Sequence, residues 1–253
     1  MNDRLIYVQR MEKSMYDKLF FVDKLFDNIT TFIDFGCADG TLISYAQHYM
    51  DCEFIGYDTS EQMISLAKEK NLNAKFYTNW KDIAKHLNYD FFDCAINLSS
   101  VIHEVYSYAT SQKDIDDFWD IVLNSNFKYI IIRDMSNTNK FWQNNNILYQ
   151  IYNRYPKQIK DFEDIYGKIT TQKQLVHFLL KYKYVENWDR EVKENYLPIS
   201  LHDILEMPNT LAKYNIEYKE KYCLPYIKHM IDTEFNTDFT DNTHYKLILK
   251  RIY

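Results

Sequence analysis

Two of the chain's four glycines, Gly36 and Gly40, lie in the stretch FIDFGCADGTLI, which runs from Phe32 to Ile43. The stretch begins with β-forming residues and continues, directly after Gly40, in a helical pattern. Glycine adopts backbone conformations that other residues avoid, and without a side chain it lets a ligand approach backbone amides closely. The stretch therefore predicts a strand, a tight turn and a helix, with the turn facing a ligand.

The first half of the chain repeats this order of strand and helix. Short β-branched or aromatic runs alternate with segments of helical periodicity, which is typical of a parallel sheet covered by helices. Two further strands are predicted near the end, after a run of helical patterns. The predicted strands are Thr31–Phe35, Cys52–Tyr57, Ala74–Tyr77, Phe91–Leu98, Phe127–Arg133, Ile216–Cys223 and His244–Ile252.

We therefore predict one α/β domain over residues 1–253, built on a doubly wound, mostly parallel sheet of seven strands. Residues 136–212 are predicted to form a helical insertion, or substrate-cap subdomain, before the last two strands. The predicted helices of the insertion are Phe141–Tyr155, Lys157–Tyr166, Thr171–Tyr184 and Leu201–Glu206. Elsewhere helices are predicted over Asp3–Phe26, from Thr59 onward with a T-x-x-Q capping box, from Trp80 to Leu87, and over Ser111–Asn124 and Tyr226–Phe235.

Composition and charge limit the classes of function. No apolar run approaches the roughly 20 residues of a spanning helix and the first residues lack a signal core, so no membrane association is expected. The four cysteines are too widely spaced for a disulfide framework or a zinc site, and no acid cluster demands a metal, which favours a cytoplasmic protein without a metal. The net charge of −6 argues against indiscriminate nucleic-acid binding, although residues 138–184 carry eight basic and three acidic side chains.

An acidic residue follows each of the first two predicted strands. Asp34 ends the first strand, and Asp58 follows the second strand 24 residues later. An acid in the second position can accept both hydroxyls of a ribose, so the turn and the acid predict a nucleoside-containing ligand at the carboxyl edge of the sheet. The nicotinamide fingerprint G-x-G-x-x-G would require glycine where the chain has Ala38 and Thr41.

The pattern D-x-G-x-x-x-G resembles the first motif of the class I, Rossmann-like S-adenosylmethionine-dependent methyltransferases. The resemblance covers residues 10–133 and the terminal strands, and family members often carry glycine where this chain has Ala38. It implies S-adenosylmethionine as the cofactor, with the turn along its methionine part, Asp34 orienting its amino group and Asp58 holding its ribose. The cofactor-binding residues that it implies are Asp34, Gly36, Ala38, Asp39, Gly40, Asp58, Thr59 and Met63 at the adenine, Asn79 and Trp80 at the adenine rim, and Leu98 through its carbonyl.

Some of these residues have a purely structural alternative. Asp34 and Asp58 also suit helix caps, and Met63 and Trp80 fit ordinary core positions equally well. The segment SMYDKLFF resembles the lid helix of relatives, in which Ser14 or Lys18 would reach the carboxylate of the cofactor. A solvated helix face is the alternative for both.

The catalytic residues are expected in NLSSVIHEVYSY, after the fourth predicted strand. Methyl transfer from a sulfonium is an in-line displacement, which needs an aligned nucleophile and, where the nucleophile is protonated, a base. His103 titrates near neutral pH and is predicted to be that base, with Glu104, Tyr106 and Tyr108 orienting the substrate. The alternative is that His103 caps or packs the start of a helix.

Substrate contacts are predicted from the sheet edge and from the insertion. Arg133 and Asp134 end the fifth predicted strand, where they bind substrate or pair with each other. The segment ENWDREVKENY, with Arg190 and Tyr196, suits a pocket wall as well as a solvated amphipathic helix. His244 begins the last strand and has either a place in the same crevice or a structural role.

The leading hypothesis is methyl transfer to a small-molecule acceptor. The D/N-P-P-Y/W motif of DNA amino-methyltransferases is missing, because the corresponding stretch reads Asn97-Leu98-Ser99-Ser100. Neither the Pro-Cys nucleophile of cytosine-C5 enzymes nor the paired-glutamate loop of arginine methyltransferases is visible. Two alternatives stay open: methylation of RNA or another polyanion through the basic segment 138–184, and cofactor binding without catalysis.

Overall fold

The computed structural model describes residues 14–25, 27–70, 73–136, 145–208 and 210–252. Its centre is a seven-stranded sheet of β1 (Thr31–Phe35), β2 (Glu53–Tyr57), β3 (Lys75–Tyr77), β4 (Cys94–Ser99), β5 (Tyr129–Met135), β6 (Tyr214–Tyr222) and β7 (His244–Arg251). The strand order is β3-β2-β1-β4-β5-β7-β6, and β7 runs antiparallel to both of its neighbours. The first five strands pair in parallel. The predicted α/β class and the mostly parallel seven-stranded sheet are confirmed.

Helices connect the strands throughout the described part of the chain. Those before β5 are α1 (Thr41–Ala46), α2 (Glu61–Glu69), α3 (Trp80–His86), α4 (Ile102–Tyr108) and α5 (Gln112–Asn124). Those between β5 and β6 are α6 (Asn145–Arg154), α7 (Pro156–Tyr166), α8 (Gln172–Lys181), α9 (Trp188–Glu191), α10 (Leu201–Glu206) and α11 (Thr210–Lys213), and α12 (Pro225–Phe235) precedes β7. None of the described helices is both long and apolar enough to cross a membrane.

Hydrophobic side chains cover both faces of the sheet. Phe32 and Ile33, neighbours in β1, belong to two different hydrophobic clusters, because successive residues of a strand point to opposite faces. Ile130 and Ile131 of β5 divide in the same way. A third cluster joins α6 to α9 with α12, so these helices share a core of their own, whereas Leu201 and Ile204 of α10 pack in a cluster on the sheet.

Several predicted element boundaries differ from the observed ones. The N-cap of α2 is Ser60, whose hydroxyl accepts a hydrogen bond from the backbone N–H of Met63, rather than Thr59. Helix α1 ends at Ala46, so Tyr49 lies beyond the helix and is 61% exposed. The sequence did not predict α4 as a separate helix. The predicted helix Asp3–Phe26 is helical at residues 14–18, and its residues 3–13 and 26 lie outside the described part. The predicted helix Phe141–Tyr155 corresponds to α6, and its residues 141–144 lie outside the described part.

The topology creates a crevice between β1 and β4. Strands β2 and β3 extend the sheet on one side of β1, and β4 and β5 extend it on the other, so the connections leave in opposite directions at this point. Ligands of open α/β sheets bind at such a switch point, beyond the carboxyl ends of the strands. The turn after β1 and residues 99–101 after β4 therefore lie where a ligand is expected.

We predict that the turn after β1 tolerates no side chain at Gly36. Gly36 and Gly167 have similar φ values of 77° and 74°, but an added Cβ would come within 2.6 Å of Cγ2 of Val101 at Gly36 and would meet nothing within 4 Å at Gly167. Gly167→Ala should lower the free energy of unfolding by about 1–3 kcal/mol through its backbone alone, because φ 74° with ψ 172° is a conformation almost exclusive to glycine. Gly36→Ala should cost about 1–3 kcal/mol more through the clash. Equal losses in denaturant unfolding would contradict this reading.

Candidate active site

A cavity of about 500 Å³ lies at the carboxyl edge of the sheet. Its wall includes the turn after β1, residues 58–60 after β2, residues 99–101 after β4 and the first turn of α4. The remaining wall comes largely from the helical region between β5 and β6, from Leu180 to Tyr196. The cavity therefore occupies the switch-point crevice and has the helical region as its cover.

The turn after β1 is tied to the end of β2 by backbone hydrogen bonds. The N–H groups of Gly36 and Cys37 donate to the carbonyl of Tyr57, at 2.8 and 2.9 Å. The carboxylate of Asp58 accepts from the N–H of Ala38 through Oδ2 and from that of Ser60 through Oδ1, both at 2.9 Å. Because each carboxylate oxygen has room for a second donor, Asp58 can still accept two hydroxyls from the cavity side.

Ala38 explains why this turn tolerates a residue other than glycine at one of its positions. Its φ is 46°, in the left-handed region, and its N–H is held by Asp58 at 2.9 Å. A left-handed backbone costs a non-glycine residue about 1–2 kcal/mol. The hydrogen bonds of the turn offset that cost, so the conformation survives without glycine at this position.

Asp34 lies behind the cavity wall rather than in it. Asp34 is 3% exposed, and its Oδ1 accepts from Nδ2 of Asn97 at 2.7 Å. Burial raises the pKa of Asp34 to about 6, against the hydrogen bond from Asn97 and the charge of Lys18. Asn97 in turn accepts from the hydroxyl of Ser99 at 3.0 Å, and Ser99 and Lys18 line the cavity. Asp34 is therefore connected to the cavity lining by the hydrogen bonds of Asn97 and Ser99.

Residues 14–18 are held at the cavity by an ion-pair cluster on the last strands of the sheet. Nε of Arg133 donates to Oδ2 of Asp17 at 2.9 Å, and Nζ of Lys246 lies 2.6 Å from Oδ1 of Asp17. The hydroxyl of Tyr222 also donates to Asp17, at 2.5 Å. Lys18, the next residue, lines the cavity, and burial followed by the charge of Arg133 lowers its pKa.

A buried histidine and aspartate lie at the start of α4. Nδ1 of His103 is 2.8 Å from Oδ1 of Asp134, while Oδ2 of Asp134 accepts from the N–H of Ile102 at 2.9 Å. Burial lowers the pKa of His103, but the charge and hydrogen bond of Asp134 outweigh it, so the pKa of His103 lies above its usual value. The same partner holds the pKa of Asp134 low although burial raises it. The other ring nitrogen of His103, Nε2, has no hydrogen bond to a described residue.

A second carboxylate, Glu194, faces that nitrogen. Its Oε1 accepts from the hydroxyl of Tyr108 at 2.7 Å and from Nε of Arg190 at 2.9 Å, while its Oε2 lies 4.0 Å from Nε2 of His103. The Glu194 carbonyl accepts from Nζ of Lys181 at 2.5 Å, and burial lowers the pKa of Lys181 to about 7. These contacts fix Glu194 from both its side chain and its backbone.

The structure brings a majority of the predicted site residues to one cavity. Those that line it are Gly36, Ala38, Asp58, Thr59, Met63, His103, Glu104, Arg133, Arg190, Tyr196 and His244. Ser14 and Lys18 line it as well. The predicted residues that do not line it are Asp34, Asp39, Gly40, Asn79, Trp80, Leu98, Tyr106, Tyr108 and Asp134.

Structural contacts account for the residues that lie away from the cavity. Trp80 stacks on Phe91 at 5.7 Å between ring centroids, and Asn79 caps α3 by accepting from the N–H of Lys81. Gly40 is the N-cap of α1, and Leu98 is fully buried in the core. The structure therefore corrects the placement of Asn79 and Trp80 at an adenine rim.

The other corrections concern polar side chains. Asp39 pairs with Lys70 at 2.7 Å, and the hydroxyl of Tyr106 accepts from Nε1 of Trp119 at 3.0 Å, which directs Tyr106 toward α5. Arg133 and Asp134 do not pair with each other, and each has different partners. Arg133 binds Asp17 and the hydroxyl of Ser100, at 2.8 Å for the latter, whereas Asp134 binds His103.

Sequence reasoning missed residues that matter to the cavity. Glu194 and Glu191 belong to the segment singled out as a pocket wall, but neither was chosen from it. Asp17 and Asn97 act from behind the lining, through Arg133 and Asp34. The many polar residues in 186–196 were the available signal for Glu191 and Glu194. The sequence holds no such signal for Asp17 and Asn97, because their partners are 116 and 63 residues distant in the chain.

Comparisons with known proteins agree with this geometry. A family model described as a methyltransferase domain matches residues 26–195. No curated protein sequence matches the chain.

Solved structures share the fold at low sequence identity. The plantazolicin methyltransferase BamL, crystallised with a triazolic desmethylPZN analog and SAH, has a TM-score of 0.52 at 13% identity, covering 99% of this chain and 90% of its own. An S-adenosylmethionine-dependent methyltransferase from Archaeoglobus fulgidus has a TM-score of 0.50 at 14% identity, covering 95% and 93%. A putative S-adenosylmethionine-dependent methyltransferase from Listeria monocytogenes has a TM-score of 0.51 at 16% identity, covering 94% and 99%.

Proposed function

Because this chain belongs to the class I, S-adenosylmethionine-dependent methyltransferases, we propose that it transfers a methyl group to a small-molecule acceptor held beside His103. S-adenosylmethionine is its methyl donor. The observation that carries the proposal is that one cavity of about 500 Å³ is lined both by the glycine turn with Asp58 and by His103 with Glu194. A cavity of this volume suits small ligands.

The residues present fit the cofactor. Asp58 retains two acceptor positions toward the cavity, as a ribose requires, and Thr59 and Met63 follow it in the lining. Lys18 makes no ion pair with a described residue within 4.0 Å, so its charge is open to a carboxylate. We assign Gly36 and Ala38 to the methionine part, and Asp34 acts on its amino group through Asn97 and Ser99.

When bound, the cofactor supplies an electrophilic methyl group on a positively charged sulfur. The protein must then align the acceptor and take up its proton. We assign Nε2 of His103 as the atom that takes up the proton of the acceptor, because Nδ1 contacts Asp134 at 2.8 Å. Asp134 fixes the ring and stabilises the imidazolium that forms, which makes it a positioning residue.

The helices between β5 and β6 are proposed to select the substrate. Residues 136–212 contribute Leu180, Tyr184, Asn187, Arg190, Glu191, Glu194 and Tyr196 to the cavity lining. The hydrophobic cluster that joins α6 to α9 with α12 supports the assignment of this part of the region as a substrate cap. The four cysteines are free thiols, which supports a cytoplasmic site of action.

The basic segment 138–184 favours the small-molecule acceptor over RNA. Lys181 is fully buried, and Lys157, Lys160 and Lys183 pair with Asp161, Asp164 and Glu234. Lys181 is therefore not part of an open cationic surface, and Lys157, Lys160 and Lys183 each have an acid beside them.

We predict that methyl transfer depends little on salt and survives removal of RNA. Purified protein would be given methyl-labelled S-adenosylmethionine and fractions of cell extract, each with and without ribonuclease, at 50 and 200 mM salt. A small acceptor should be labelled at rates that agree within about twofold, whereas a polyanion bound through six or more phosphate contacts loses about a thousandfold in affinity over this range. Label that disappears with ribonuclease would support the RNA alternative, and no label in any fraction would support cofactor binding without catalysis.

A further inference from the structure

We infer that the methyl acceptor is a primary amine, which binds as an ammonium ion between His103, Glu104 and Glu194. The inference rests on the proposed function, because it places this site in the cavity of the methyltransferase. It goes beyond that function by assigning the acceptor atom as nitrogen.

Three side chains that can accept hydrogen bonds converge at the cavity. One atom each from His103, Glu104 and Glu194 lies within 4.8 Å of the others. Glu194 and His103 are 3% and 4% exposed and both line the cavity, and Oε2 of Glu194 and Nε2 of His103 have no hydrogen bond among the described residues. The two atoms stand 4.0 Å apart, which is too long for a hydrogen bond between them.

The distances suit an ammonium nitrogen better than Zn²⁺ or Mg²⁺. Either ion, about 2.1 Å from both atoms, would bridge their 4.0 Å separation at an angle of about 140°, far from the roughly 90–110° of tetrahedral or octahedral sites. An ammonium nitrogen about 2.8 Å from both atoms bridges the same 4.0 Å at about 90°. The third atom lies within 4.8 Å of the other two, which for arms of about 2.8 Å means angles of no more than about 118° and admits three N–H donors.

The charges of this part of the cavity favour a cation. Glu104, Glu191 and Glu194 line it, and burial raises the pKa of Glu104 and of Glu191. Among the described residues, two cations are near these acids: Arg190 lies 2.9 Å from Glu194 and 3.6 Å from Glu104 with a side chain 60% exposed, and Nζ of Lys181 lies 2.5 Å from the Glu194 carbonyl. Burial lowers the pKa of Lys181 to about 7, so near neutral pH its charge balances the acids only in part. Two further cations line the cavity: Arg133 is paired with Asp17, and Lys18 is assigned to the cofactor.

Aromatic side chains complete the wall around these acids. Tyr184, Tyr196 and Tyr226 line the same cavity, and the ring of Tyr196 meets that of His103 edge to face at 5.2 Å. The faces of aromatic rings attract cations, with a gain of about 0.5–2 kcal/mol depending on desolvation. Nζ of Lys181 lies 4.5 Å from the centre of the Tyr196 ring, so this wall already holds one ammonium group against an aromatic ring. The acids, rather than the rings, therefore carry the preference for a bound cation.

The transfer step balances with the groups named. One N–H proton of the bound ammonium passes to Nε2 of His103, which leaves a lone pair on nitrogen. That pair forms the N–C bond to the methyl carbon while the S–C bond breaks, and its electron pair stays on sulfur. The products are the methylated ammonium ion, the imidazolium of His103 and the neutral thioether of the cofactor.

The test uses the full-length protein, methyl-labelled S-adenosylmethionine and extract fractions in two forms. One portion is untreated, and the other is acetylated with acetic anhydride and then treated with hydroxylamine, which blocks amines but restores hydroxyls. We expect labelling to fall at least tenfold in the blocked portion, and mass spectrometry of the product to show an N-methyl group. An O-, S- or C-methyl product would overturn the amine inference while leaving the methyltransferase function intact, whereas absence of label in every fraction would overturn the function itself.

Variants and a chelator then test the site with the labelled acceptor. Glu104→Gln should raise KM at least tenfold, because the side chain is 44% exposed and the variant loses one charged partner of the ammonium without leaving a buried charge. Glu186→Gln, an exposed acid of the same region outside the cavity lining, should leave KM unchanged. An unchanged KM in Glu104→Gln, or loss of activity in EDTA with recovery in Mn²⁺, would overturn the ammonium site.

Discussion

Asp58→Ala is expected to weaken S-adenosylmethionine binding by at least about 30-fold, as measured by titration calorimetry. The carboxylate does two things at once: it holds the N–H groups of Ala38 and Ser60, and it offers two acceptor positions to the ribose. Hydrogen bonds to a charged group contribute about 1.5–3 kcal/mol each, so the loss of two ribose contacts alone accounts for a factor of this size.

Asp39→Ala is the matched control for Asp58→Ala. Asp39 belongs to the same turn and is also an acid, but it pairs with Lys70 at 2.7 Å and does not line the cavity. Its replacement should change the affinity by less than about threefold, because exposed ion pairs contribute about 0–1 kcal/mol. Equal affinity in Asp58→Ala and the wild type would show that Asp58 does not bind the cofactor. Equal losses of affinity in Asp58→Ala and Asp39→Ala would show that the turn needs both acids for its structure.

The part of the fold that the sequence predicted best depends on local signals. The bounds Thr31–Phe35 of β1 were predicted as observed, because an apolar strand stops at a glycine turn. The predicted helix Thr171–Tyr184 also begins as observed, because Thr171 is the N-cap of α8 and forms a capping box with Gln174. Both signals lie within a few residues of the boundary that they mark.

Predictions were weaker where two local signals compete. Thr59 and Ser60 are adjacent residues that both suit an N-cap, and the T-x-x-Q pattern favoured Thr59. The carboxylate of Asp58 accepts from the N–H of Ser60 at 2.9 Å, which fixes the chain so that Ser60 is the cap. Only the tertiary position of Asp58 distinguishes the two.

The site was predictable as a set of chain segments but not as a set of contacts. Asp134 and His103 were both named from the sequence, yet their 2.8 Å contact joins residues 31 apart on different elements. Glu194 reaches Tyr108 across 86 residues, at 2.7 Å. Hydrophobic periodicity carries no information about such pairs, because they depend on how the insertion packs over the sheet edge.

His103→Asn is expected to lower kcat for methyl transfer by about 10²–10⁴, the usual contribution of a general base, while cofactor affinity stays within about twofold of wild type. Asparagine can still donate to Asp134 but cannot take up a proton. His202→Asn is the control, since His202 lies on the exposed side of α10, with a side chain 75% exposed. If His103 only packs the start of α4, the two variants will have similar kcat.

The pH profile separates a base from a structural residue. Because Asp134 raises the pKa of His103, the unprotonated ring predominates only above a pH higher than its usual pKa of about 6.5, and kcat should rise with pH through that region. Asp134→Asn removes the charge that stabilises the imidazolium, so the rise should move to lower pH, and its plateau should fall because the ring is no longer held in one tautomer. A purely structural His103–Asp134 pair would make Asp134→Asn less stable without moving the midpoint of this rise, which unfolding measurements at the same pH values would detect.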